Sequence, residues 1–142
     1  MTIITDVAQA VTDELNGATF SQPFTAERQY LPVFELPDMK VLHVTVAPRG
    51  IAISALDRGR CQHDVQIDIA VQKKITTDTP AEIDPLMTLV QEIADFFKLR
   101  RLAALPHAAW IKTENAPIYA LEHLQELRQF TSVLTLTFKV MG

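Results

Sequence analysis

The chain has 142 residues, of which 48% are hydrophobic and 21% charged, with a formal net charge of −4. That balance excludes a disordered or fibrous chain, and the length is enough for one core to hold without disulfides or metal, so a single domain over residues 1–142 is expected. No apolar run approaches the roughly 20 residues of a membrane span, and the acids and bases are scattered, which excludes the concentrated basic surface of a non-specific nucleic-acid binder.

The start, MTIITDVAQAVTDEL, lacks the basic region of a signal peptide, so the cytoplasm is the expected compartment. Ile4, Val7, Ala8, Val11 and Leu15 recur at helical spacing before Asn16-Gly17, predicting a short amphipathic helix. Phe24, Ala26, Arg28 and Tyr30 then alternate with Thr25, Glu27, Gln29 and Leu31 up to Pro32. A proline cannot donate to a ladder, so this reads as an edge strand that ends or bulges there. VLHVTVA (41–47) and IAISAL (51–56) flank Pro48-Arg49-Gly50, a punctuation that predicts a hairpin. After a hydrophilic tip, Asp57-Arg58-Gly59-Arg60, comes a long strand over 61–75. Its Val65, Ile67, Ile69 and Val71 alternate with Gln66, Asp68, Ala70 and Gln72.

The period then changes. Ile83, Leu86, Met87, Val90, Ile93, Ala94 and Phe97 follow helical spacing, with Leu89 and Phe96 widening the stripe. Thr79 as N-cap, Pro80 in the first position and Glu82 in the third give a capping-box-like start. AAWIKT (108–113) predicts a strand, Pro117-Ile118-Tyr119 an extended piece and residues 121–127 one or two helical turns. The last segment, QFTSVLTLTFKV, alternates Leu134, Leu136, Phe138 and Val140 with Val133, Thr135, Thr137 and Lys139, and so belongs to a sheet. The order implies an α+β fold: a mostly antiparallel sheet with one long helix packed across a face and a short N-terminal helix, the other sheet face polar or meeting a partner.

Chemistry is sparse. Cys61 is the only cysteine, which rules out an internal disulfide and fits a reducing compartment. Cys61 and His63 share a strand face and His43 lies on a neighbouring strand, but a structural zinc site needs four ligands in paired spacings, and no second pair exists. With four glycines and none in a Gly-rich loop there is no phosphate cradle, and no Gly-x-Ser-x-Gly elbow is present. His107 and His123 read as surface residues, and Trp110 and Tyr119 as core or interface aromatics; Asp57, Asp64 and Asp68 suggest a paired acid/base, but Asp64 and Asp68 alternate outward on their strand and read as solubility or interface charges. The residues point to no catalytic, metal or cofactor site.

FSQPFTAERQYLPVFEL, the hairpin with its DRGR tip, HDVQIDIAVQKKI, TPAEIDPLMTLVQEIADFF and RQFTSVLTLTFKV, in that order, resemble the small structural proteins of the head–tail joining region of tailed bacteriophages and prophages. The layout is most similar to tail terminator, or tail completion, proteins. The resemblance implies a non-enzymatic subunit without cofactors. It forms a hexameric ring on the end of the tail tube, stops tube growth and presents a surface to the head connector, in the host cytoplasm during assembly and then in the virion. Its partners are further copies of itself, the tube protein and the connector, with no membrane and no sequence-specific nucleic acid. A closing ring needs a heterologous interface, and exposed strand edges can make one. The expected interface is the DRGR hairpin and the outward strand face: Arg58, Arg60, Asp64, Gln66, Asp68 and Gln72. A head-closure or connector ring reads almost the same, and a binding module using the open sheet face is the alternative from another class.

Overall fold

A computed structural model describes residues 2–30, 42–76, 79–103, 105–115, 119 and 129–141. Pro32, Pro117-Ile118, the helical turns over 121–127 and His123 lie outside them. Helix α1 (Ile3–Gly17) opens on a capping box in which the Thr2 hydroxyl accepts from the Thr5 amide and the Thr5 hydroxyl accepts from that of Thr2. Its apolar stripe, Val7, Ala8, Val11 and Leu15, is buried as the period predicts. At 15 residues it is nearly as long as α2 (Pro80–Phe97, 18 residues), so the expected pairing of one long helix with one short helix is replaced by two comparable helices. α1 packs chiefly on β1, β2 and β3 and also reaches β4 and β5, while α2 packs on β6.

The strands are β1 (Ala26–Arg28), β2 (His43–Ala55), β3 (Cys61–Lys74), β4 (Arg101–Leu102), β5 (Leu105–Glu114) and β6 (Gln129–Met141). They form one sheet in the order β1-β2-β3-β6-β5-β4. Every joint is antiparallel except β1–β2, which is parallel, so the sheet is mixed. β1 is an edge strand as expected. Asn16, at the end of α1, holds it by accepting from the Ala26 amide (2.8 Å) and donating to the Ala26 carbonyl (3.1 Å).

The hairpin expected at Pro48-Arg49-Gly50 is not there. β2 runs straight through as one strand, with a bulge between Pro48 and Gly50, because β3 is long enough to pair with all of it. β1 ends at Arg28, opposite Val46, so among the described residues Pro48 has no strand on its outer side, where a missing donor is tolerated. The hairpin is instead β2–β3, turning at Asp57-Arg58-Gly59-Arg60.

On α2, Thr79 makes no side-chain cap bond, and the Glu82 carboxylate accepts from the Thr76 amide (2.7 Å) and hydroxyl, so the capping box expected there is replaced by a link to the end of β3. One cluster of buried side chains joins both helices to Val65, Ile67, Ile69, Val71, Leu134, Leu136, Phe138 and Val140. A clasp at the helix ends completes it: Glu14 accepts from the Ala103 amide (2.7 Å) and from Arg100 (3.1 Å), and Arg100 lies over the Phe96 ring at 4.0 Å.

Candidate functional site

The sheet's second face carries the alternate residues, and its two ends differ. Toward the start of β2, Thr45, Ala47, Ala70, Gln72 and Thr131 are buried. Toward the hairpin, Asp64, Gln66, Asp68, Thr135 and Lys139 keep partial exposure. Of the six expected interface residues, Arg58 and Arg60 are exposed at the tip, and Asp64, Gln66 and Asp68 follow along β3, partly exposed, to the middle of the strand. Gln72 stands apart, fully buried, with both side-chain amide atoms lacking a hydrogen-bond partner among the described residues.

The tip is preorganised by Asp57. Its carboxylate accepts from the Gly59 amide (2.9 Å) and from Arg60 Nε (2.9 Å), and the Leu56 amide bonds the Arg60 carbonyl (3.0 Å). The Gly59 amide foremost, then the Arg60 side chain, holds the Asp57 carboxyl below its ordinary range. Arg58 is exposed at the apex.

Behind the tip runs a belt of mixed charge. Asp68 accepts from the Thr135 hydroxyl (2.7 Å) and pairs with Arg49 (3.3 Å), Asp64 accepts from Gln62 (2.9 Å) and stands opposite Lys139, and Lys112 pairs with Glu114 (2.9 Å). The Lys112 bond and charge, with a smaller contribution from Arg49, hold the Glu114 carboxyl below its usual range. Arg49, Gln66, Glu114, Val133 and Thr135 line a shallow depression of about 170 Å³ in this belt. Exposed pairs of both signs contribute little to folding, but they discriminate between partners.

Sequence reasoning did not single out Arg49, Lys112, Glu114 and Lys139, which lie on three different strands and meet only through the register. It also passed over Ile51 and Ile53, which are 41% and 61% exposed. Their signal was present in IAISAL, an apolar stretch read only as one arm of the hairpin expected at Pro48-Arg49-Gly50.

The candidate metal ligands separate. His43 stands opposite Gln72 and His63 opposite Ile53, at the two ends of β2–β3, about 30 Å apart at strand rise. Among the described residues, no group of three or more His, Cys, Asp or Glu could hold a metal ion, and no helix is long and apolar enough to cross a membrane. Trp110 packs partly buried against the core and donates from Nε1 to the Thr113 hydroxyl (2.8 Å), Tyr119 lies 6.5 Å from the Phe130 ring, and His107 is exposed.

No protein-family model and no curated protein sequence matches the chain. Among solved structures it is similar to the sheath/tube terminator of PVC, an extracellular contractile injection system, seen by cryo-EM in the extended state. Identity is 20% and the TM-score 0.48, and the match covers 100% of this chain and 57% of the other, so the chain spans little more than half that protein's length.

Proposed function

We propose that the chain is a tail-terminator-like structural subunit, which assembles with copies of itself into a ring on the end of a tail tube and stops the tube's growth. The observation that carries this reading is the β2–β3 hairpin, in which residues 51–60 are all exposed. The last five of the 13 residues of β2 thus stand outside the buried core. A strand that stands clear of its own core forgoes burial that a monomer would use, and exposed edges are natural sites of association between chains.

The sequence resemblance to tail terminators supplies the partner and the geometry: a closed heterologous ring, six-fold in that family, seated on a tube end and facing a head connector. In this reading Arg58, Arg60, Asp64, Gln66 and Asp68, joined by Arg49 and Lys139, contact the neighbouring subunit or the tube. Their mixed signs fix register and partner choice rather than raw affinity.

The test is to polymerise the tube protein of the same system with and without this chain and to image the products. Tubes of arrested length carrying a ring at one end support the reading. Binding to a head-side ring instead of the tube end would assign the chain to head closure, and tubes that grow unchanged would remove the terminator role.

A further inference from the structure

Resting on that reading, we infer that the ring joint is edge-to-edge strand pairing, in which the edge of β2 beyond Val46, without a partner strand among the described residues, takes β5 of the next copy. β1 lies beside β2 only as far as Val46; from Ala47 to Ala55 no strand lies beside that edge among the described residues. Sheet edges are normally blunted by charge, proline or a bulge. β2 has those devices at Pro48, Arg49 and the bulge, yet the stretch beyond, Gly50 to Leu56 (GIAISAL), has no charge and no proline, and Ile51, Ile53 and Leu56 are exposed. Among the described residues, this is an unprotected pairing edge.

Among the described residues, the opposite margin of the sheet is bare in a matching place. β4 covers β5 at Leu105 and Ala109, and past them Ile111 to Glu114 has no strand outside it among the described residues, with Ile111 41% exposed. β2, β3, β6 and β5 alternate in direction, so β5 runs antiparallel to β2. A second copy set alongside in the same orientation therefore presents its β5 edge antiparallel to the β2 edge of the first, head to tail as a ring requires.

The heights also agree. Ile51 pairs with Val65, Val65 with Phe138 and Phe138 with Trp110, so Ile51 and Ile111 stand almost level across the sheet. Glu114 stands level with Ala47, beside Arg49. Lys112 meets no like charge in GIAISAL.

Two single-cysteine proteins test this, Ile51→Cys and Ile111→Cys, each in a Cys61→Ser background and treated with a short bismaleimide. The joint predicts covalent dimers when the two are mixed and none when either is treated alone. Ile53→Lys should abolish the ring at an unchanged melting temperature, because an edge lysine blocks strand addition without touching the core. A ring that forms with no link between positions 51 and 111, or that survives Ile53→Lys, overturns the edge joint and leaves the terminator reading standing. Links in the Ile51→Cys protein alone would show two-fold self-pairing of β2 and likewise overturn it. Absence of any association, with or without tube ends, would contradict the joint and the terminator reading together.

Discussion

Phe97, the last residue of α2, stands edge-on to Phe138 in β6, with ring centroids 6.4 Å apart and planes at 86°. Both rings are fully buried, and Phe97 also meets Phe96 edge-on at 5.0 Å, so the end of the helix is fixed to the middle of the sheet by aromatic packing. Phe97→Ala should lower stability by about 3–5 kcal/mol, the cost of a large cavity in a close-packed core. Urea denaturation measures it, and a cost no greater than that of an exposed substitution would contradict the packing.

Leu99 adopts a left-handed backbone conformation, φ 59°, in the turn that follows α2, and it is 82% exposed. A side chain with a Cβ is strained there by roughly 1–2 kcal/mol, while glycine is not. Leu99→Gly should therefore hold or raise stability, by up to about 1 kcal/mol after the added freedom of the unfolded chain is counted. Differential scanning calorimetry reads the sign. A clear fall in melting temperature would mean that the Leu99 side chain makes contacts that matter.

Gln72 is fully buried and both of its amide atoms lack partners among the described residues. Each unsatisfied buried group costs about 1–3 kcal/mol, so Gln72→Met, which keeps the shape and removes the polar atoms, should stabilise the fold. It should also leave assembly intact, because the residue is shielded from any partner. Loss of ring formation in a stable Gln72→Met protein would return this position to the interface.

Asp57 organises the hairpin tip, and the Gly59 amide and Arg60 hold its carboxyl below the usual aspartate range. A depressed folded-state pKa means that the turn's contribution is complete above the unfolded value and is lost as pH falls through the folded one. The tip should thus be unchanged across neutral pH and loosen only in strong acid. An NMR titration of the Asp57 carboxyl, with the Gly59 amide as reporter, checks this. Titration at or above the ordinary value would show that the turn bonds do not form in solution.

Periodicity made the strongly patterned elements legible. The stripes of α1 and α2 and the inward residues of β3 and β6 are buried where the spacing puts them, since those positions are dictated by local repeat alone. The strand through Pro48 was not legible, because the bulge that accommodates Pro48-Arg49-Gly50 depends on a long partner in β3 and on β1 pairing only as far as Val46. β4, two residues long, carries no period to read. The polar interface was visible only as single residues. The pairing of Arg49 with Asp68, and of Asp68 with Thr135, comes from cross-strand register, which no local pattern encodes.

The same register decides how the interface can be tested. Asp68 is held by both Arg49 and Thr135, so reversing its charge would disturb the sheet as well as the surface; Arg58 and Lys139 have no such double tie among the described residues. The most direct measurement is tube capping by the Arg58→Glu/Lys139→Glu protein alongside the parent chain, with melting temperatures recorded for both. The account predicts parent protein that arrests tube growth with a ring at the tube end, and a variant that melts at the same temperature but no longer caps. Tubes that elongate equally with parent, variant or neither would contradict it.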